Sequence, residues 1–211
     1  MKKILSKDTV DIILDKLDLA FPDAKPELVF KTPFELLVAV ILSAQCTDVR
    51  VNKVTEELFK KANTPEGMLS LGETLLEEEI RSCGFYHNKA KNIIGASRKI
   101  IEDFEGKIPD NMEEIMSLPG VGRKTANVVL SVAFGVPAIA VDTHVQRVSN
   151  RLGMVKGKNP DETERGLMKC IKKSRWSKAH HLLIFLGRRV CKSRKPNCES
   201  CPVNNECMKI I

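Results

Sequence analysis

The stretch LPGVGRKTANVVL, Leu118 to Leu130, followed by VDTH at Val141 to His144, decides how this chain is read. Pro119-Gly120-Val121-Gly122 joins a short helical pattern to a longer one. Two glycines in four residues permit backbone conformations that side chains would obstruct. Amides freed in such a turn point outward at an anion, aided by the positive end of the helix that follows. An ordinary interhelical turn is the plain alternative, so the neighbouring residues have to decide.

Outward from that turn the pattern is helical almost everywhere. Val10, Ile13, Leu14 and Leu17 recur at helical spacing, and Phe34, Leu37, Val38, Ile41 and Leu42 do so in a more apolar segment. Thr32-Pro33-Phe34-Glu35 reads as a capping box with proline at the first helical position. Further helices are expected over 48–61, 72–82, 88–104, 112–117, 123–134, 143–152, 161–172 and 177–191. Val136 to Val141 has strand-like composition but stands alone between helices, so it reads as an extended crossing. A domain junction near Gly135 to Pro137 is compatible with this pattern.

Composition bounds the function. The chain has 211 residues, 43% of them hydrophobic, enough for one large or two small folded domains rather than a disordered chain. Its net charge is +7, and between Gly166 and Lys195 it carries ten Lys or Arg and no Asp or Glu. Such a run suits a polyanion, the alternative being a solvated basic face. No apolar run reaches the roughly 18 residues of a membrane span, and Met1-Lys2-Lys3 leads directly into an amphipathic segment. A soluble cytoplasmic or nuclear protein is expected.

Three groups of residues carry chemistry. Lys124, in the first turn after the glycines, is an amine able to attack the anomeric carbon of a nucleoside and form a Schiff base. A free lysine titrates at about 10.4, so Arg123, the helix N-terminus and partial burial would have to favour its neutral form. A surface lysine on phosphate is the alternative. Asp142, before Thr143-His144-Val145, is a good helix cap, and an anchored carboxylate also stabilises positive charge developing on a sugar. Cys191, Cys198, Cys201 and Cys207 form C-x6-C-x2-C-x5-C, spacing that closes a small loop round a metal centre; it leaves tetrahedral zinc and an iron-sulfur cluster both open. Cys46, Cys83 and Cys170 are expected in the core.

Together, SAQCTD at Ser43 to Asp48, LPGVGRKTA at Leu118 to Ala126, VDTHVQRV at Val141 to Val148 and the cysteine tail resemble the endonuclease III family of helix-hairpin-helix DNA glycosylases and abasic-site lyases. The resemblance covers essentially the whole chain. It implies an all-α fold in two domains: a six-helix domain over 26–136, and a second from 1–25 with 137–211 that carries a 4Fe-4S loop at 191–207. The DNA cleft would lie between them. It also implies that Lys124 is the Schiff-base nucleophile, Asp142 the catalytic carboxylate and the four cysteines the cluster ligands. Gly120, Val121, Gly122 and Arg123 would grip the phosphate backbone, joined by Lys192, Arg194 and Lys195.

By the same resemblance Gln45 is a polar wedge facing the orphaned base. Phe85 stands where the family commonly inserts a leucine, its alternative being a core aromatic. His87 stands where many relatives carry asparagine, and His144 shapes the base pocket or satisfies a buried hydrogen bond. The implied partner is double-stranded DNA containing damaged pyrimidines or abasic sites, bound by a monomer in the cytoplasm at the nucleoid. A monofunctional mismatch or adenine-specific glycosylase is the second reading, and a non-catalytic DNA-binding protein with a redox cluster the third.

Overall fold

The structure, a computed structural model, describes residues 4–210; Met1 to Lys3 and Ile211, and with them the reading of the opening Met1-Lys2-Lys3, lie outside the described residues. Eleven α-helices follow in order: α1 (Lys7–Ala20), α2 (Pro33–Leu42), α3 (Asp48–Lys61), α4 (Pro65–Leu71), α5 (Glu73–Ile80), α6 (Tyr86–Phe104), α7 (Met112–Met116), α8 (Arg123–Phe134), α9 (Thr143–Leu152), α10 (Pro160–Cys170) and α11 (Trp176–Arg189). The described residues contain no strand, and 136–141 is extended chain. None of the described helices is long and apolar enough to cross a membrane. Most expected helices are present with ends shifted by a residue or two. α4 was not anticipated, although Thr64-Pro65 opens it as Thr32-Pro33 opens α2, each threonine accepting a first-turn amide.

The chain forms two compact units, Glu27–Val136 and Met1–Pro26 with Pro137–Ile211. In the first, α2 is buried along its whole length, including Phe34, Leu36, Leu37, Ala39 and Leu42, and packs on α3, α6 and α8. It is the axis of a core to which α6 gives Ala90, Ile93, Ala96 and Ile100, and α8 gives Ala126, Val129 and Leu130. This unit carries the seven helices α2 to α8, one more than the six expected, because the short α4 is separate from α5.

In the second unit α9 and α11 pack together, with α1 against α11 and α10 against α9. Gly187 permits the close approach, since a Cβ there would sit 3.0 Å from both Cβ and Nδ1 of His144. α1 docks through Val10, Ile13, Leu14 and Leu17, all fully buried. Each such side chain is worth about 1.5–3 kcal/mol, so apolar burial holds the helix.

Charge fixes the direction in which α1 lies. Asp11 pairs with Lys172 at 2.8 Å and with Arg175 at 3.2 Å, Asp15 with Arg175 at 2.7 Å and Asp18 with Lys178 at 2.8 Å. Asp23, just beyond the helix, pairs with Arg189, whose guanidinium also lies 4.4 Å from the Phe185 ring centroid. Within the basic run, at least Lys172, Arg175, Lys178 and Arg189 are paired inside the unit.

Lys172 and Arg175 hold the Asp11 carboxyl below the usual carboxylate range against the opposing effect of burial. A depressed folded-state pKa contributes stability above the unfolded value, about 3.9, and that contribution disappears as pH falls through the folded value. Asp11→Asn is expected to lower the thermal midpoint by roughly 2–4 °C at pH 7, with the difference from the parent closing below about pH 4. Thermal melts of both proteins from pH 7 to pH 3 check it; a difference that persists unchanged at pH 3 contradicts the ion-pair origin.

Candidate DNA-repair active site and cysteine loop

The glycine turn is built from the core outward. Leu118 and Val121 are buried on either side of it, and the Val121 amide donates to Leu118 O at 3.1 Å. The two glycines do different work. Gly120 has φ +77°, and a Cβ on it would strike the Asn92 side chain at 2.7 Å. Gly122 is extended and has open space where its Cβ would be. Only Gly120 is therefore demanded by the protein's own packing, whereas Gly122 leaves room for something outside it. Val121, expected to touch DNA, is 6% exposed with its amide committed inside the turn, so its part is to anchor the hairpin.

Gly122 opens α8, and no side chain caps that end; intrahelical bonding starts with Ala126 N–H donating to Gly122 O at 2.9 Å. The first-turn amides of a helix have no partners within the helix, so this end presents donors and a positive dipole. Arg123 and Lys124 are exposed beside it. The partial burial expected for Lys124 is absent, because the second position of a helix that starts at the surface projects away from the core.

Asp142 caps α9, its Oδ1 accepting from Val145 N–H at 2.7 Å. The bond fixes a half-buried carboxylate at the head of a helix whose Arg147 and Arg151 reach the cysteine loop. His144 Nδ1 lies 3.2 Å from Arg147 Nη2, which donates to Gly187 O at 3.0 Å and Cys191 O at 3.1 Å. His144 thus belongs to the α9–α11 contact. Arg151 donates to Lys192 O at 2.7 Å and Ser193 O at 2.9 Å, with its Nη1 3.8 Å from Cys191 Sγ. Neither arginine stood out in the sequence, because their partners are carbonyls some forty residues away.

Cys191, Cys198, Cys201 and Cys207 all line one small cavity of about 30 Å³, whose wall includes Leu152, Leu186, Val190 and Pro196 together with Asn197, Asn204 and Lys209. None of the four is in a disulfide. Among the described residues no three His, Cys, Asp or Glu close on a point that would hold one metal ion; the four thiols are distributed round the cavity instead. Burial pushes the Cys201 and Cys207 thiols up, and the neighbouring cysteines add to it, a strain that a cationic group among them would relieve. The Lys209 amide donates to Cys207 Sγ at 3.3 Å. Four thiols on one cavity are a donor set that fits a thiolate-held metal centre. Lys192, Arg194 and Lys195 stand exposed on the outer side of the loop.

Two further turns bear the residues expected to enter the duplex. Gln45 is exposed at φ 54°, just past the end of α2. Phe85 is 63% exposed at φ 51°, at the head of α6, which rules out a core aromatic. A bulky residue in the left-handed region is uncommon and costs of order 1–3 kcal/mol, held only when surrounding structure insists on it. His87 Nδ1 pairs with Glu77 at 2.8 Å. Of the three remaining cysteines only Cys83 lies fully in the core, with burial and nearby Cys46 pushing its thiol up to about 11; Cys46 and Cys170 are half-buried at core edges.

Lys89 went unnoticed. It is 4% exposed and donates from Nζ to Leu42 O at 2.8 Å and Cys83 O at 2.9 Å. The signal was present, since it lies in phase with Ile93, Ala96 and Ile100 on the apolar stripe of α6.

The profile of the HhH-GPD superfamily base excision DNA repair proteins matches residues 38–173. Endonuclease III of Bacillus subtilis (strain 168) is 53% identical over 205 residues, 97% of this chain and 94% of its own. Endonuclease III of Escherichia coli (strain K12) is 48% identical over 195 residues, 92% of each chain. The solved structure of a trapped endonuclease III–DNA covalent intermediate superposes with a TM-score of 0.92 at 52% identity, covering 98% of this chain and 97% of that one. A thermostable thymine-DNA glycosylase at 23% identity shares the fold, with a TM-score of 0.87. The all-helical fold, the hairpin and these likenesses lead to one statement: the chain belongs to the endonuclease III family of helix-hairpin-helix base excision DNA repair enzymes, DNA glycosylases with abasic-site lyase activity.

Proposed function

We propose that this enzyme removes oxidised or fragmented pyrimidines from double-stranded DNA and cuts 3′ to the resulting abasic site, with Lys124 as nucleophile and Asp142 as catalytic carboxylate. The observation that carries the reading is the uncapped start of α8 with Lys124 beside it. A phosphate seated on the first-turn amides brings the sugar of an extruded nucleotide within reach of Lys124. Lys124 is exposed, so its amine is open to that sugar. Nζ attacks C1′, the bond to the base breaks and the base departs, leaving a Schiff base with the opened sugar. Loss of a C2′ proton then expels the 3′ phosphate, completing β-elimination. Asp142, already oriented by its cap, stabilises the positive charge that develops on the sugar.

Gln45 and Phe85 fill the gap left in the stack, while His87, Gly120, Gly122 and Arg123 line the DNA path and Val121 anchors the turn that presents them. The domain division at 26–136 carries the hairpin in one part and the cysteine loop in the other. The four cysteines would hold a 4Fe-4S cluster, which fixes the 191–207 loop and so presents Lys192, Arg194 and Lys195 to phosphates. The enzyme acts as a monomer in the cytoplasm, associated with the nucleoid through DNA.

Borohydride trapping on abasic DNA is expected to give a covalent complex that Lys124→Ala abolishes; trapping at the parental level overturns the assignment. Asn also caps helices well, so Asp142→Asn is expected to keep the thermal midpoint and DNA affinity while turnover falls by roughly 10²–10⁴-fold. A variant with full turnover would reduce Asp142 to its cap. The triple variant Lys192→Ala/Arg194→Ala/Lys195→Ala should lower the slope of log affinity against log salt by about 2–3 for all sequences alike, and an unchanged slope removes the loop from the DNA path. Anaerobically purified protein is expected to contain iron and sulfide and to absorb broadly in the visible, whereas stoichiometric zinc without that absorption favours the tetrahedral alternative.

A further inference from the structure

Gln45 and Phe85, both exposed and both left-handed in backbone, lie on separate turns of the first unit, one closing α2 and the other opening α6. Neither turn is held by a glycine at the strained position itself, so something else must fix each backbone. Lys89 touches both. Its ammonium donates to Leu42 O, three residues before Gln45, and to Cys83 O, two before Phe85, while its own amide donates to Phe85 O at 3.1 Å. An ammonium removed from water costs several kcal/mol unless its donors are satisfied, so a fold needing only packing here would hold an apolar residue on this stripe. Burial pulls the Lys89 pKa down, with Cys83 and Cys46 opposing it.

We propose that Lys89 is the positioning residue of the wedge pair: its buried ammonium ties the turn of Gln45 to the turn of Phe85 and sets the spacing at which both side chains enter the duplex. The inference rests on the reading of Gln45 and Phe85 as wedges. The competing role, a cation capping the last carbonyls of α2, would stabilise the unit without acting through those two side chains. The two roles differ in what they predict. A wedge is needed while an intact damaged base is being forced from the stack, and needed less when the base is already gone.

The test uses Lys89→Met, which keeps length and loses the donors. Single-turnover excision of thymine glycol from a duplex is measured beside borohydride trapping on a preformed abasic site, with 2-aminopurine next to the lesion reporting unstacking by fluorescence. Excision and the fluorescence change are expected to fall by about ten-fold or more, trapping to stay within about two-fold, and the loss to shrink to about two-fold or less in a Phe85→Ala background. Parallel loss of excision and trapping, or full additivity with Phe85→Ala, overturns the proposal in favour of the structural role. Gln45→Ala and Phe85→Ala are run alone. If both excise normally, the wedge reading fails and the proposal with it; if they lose excision while Lys89→Met does not, only Lys89 fails. Should Lys89→Met not fold, Lys89→Gln, with a shorter donor, is judged on the same comparison of excision with trapping.

Discussion

Helix ends are the constraint on which the rest of this structure depends. The amides of a first turn have to find acceptors, and a helix cannot supply them from within. Here the sequence closes most such ends locally: Ser6, Thr32, Thr47, Thr64, Asn111, Asp142 and Asn159 each accept a first-turn amide from the helix they open. α5, α6, α8 and α11 have no such side-chain cap, and at α8 the cause is that Gly122 has no side chain with which to supply one. An end left open in this way at the surface is stable because water or an anion can complete it. A phosphodiester does so with full negative charge at the positive end of the dipole. In the proposed reading, recognition of the backbone and placement of Lys124 come from one local omission, while at Asp142 a cap that is present orients a carboxylate.

Charge is apportioned by the same economy. The chain is basic, yet its cations do not form one DNA-facing sheet, because the acids of α1 and Asp23 pair with Lys172, Arg175, Lys178 and Arg189. Exposed pairs of this kind contribute little stability individually. Their larger effect is to lower the field at the α1 contact. The exposed Lys192, Arg194 and Lys195 are then the unpaired-looking edge of a run that is otherwise partly neutralised, and Arg151 holds the carbonyls of Lys192 and Ser193 at that edge. Position on a fastened loop, more than net charge, makes such cations useful to a polyanion.

What the sequence disclosed and what it withheld divide along the range of the interactions. Caps, the glycine turn, the Cys spacing and the helical stripes are settled within a few residues, so Thr32-Pro33, Gly120, Asp142 and the tail could be read directly. α4 was equally local, its Thr64-Pro65 start matching that of α2, but seven residues are too few to show a periodic stripe. Other features needed the folded chain. Arg175 finds Asp11 across 164 residues and Lys89 finds Leu42 across 47; the stripe of α6 marks Lys89 as buried, but no single stretch announces either partner. The left-handed backbone at Gln45 and Phe85 was hidden for the opposite reason, since residue type argues against it and only the surrounding contacts impose it. Lys124 was misjudged on burial because the helix it belongs to starts at the surface.

α9 shows why these dispersed pieces work together. Its ten residues make a rod of about 15 Å. Asp142 caps the front; Arg147, midway, binds the carbonyls of Gly187 and Cys191; Arg151, near the far end, binds those of Lys192 and Ser193. The carboxylate and the cysteine loop are therefore referenced to a single stiff element through charge-assisted hydrogen bonds, which are shorter and stronger than neutral ones. Gly187 tightens the arrangement by letting α11 close against His144 and Val148, so a displaced loop cannot be absorbed by loose packing between the helices. Disturbing Cys191 removes acceptors from Arg147, and the rod that orients Asp142 loses its lateral support. The loop consequently contributes to the geometry of the Asp142 carboxylate through α9 even though its own exposed residues face elsewhere.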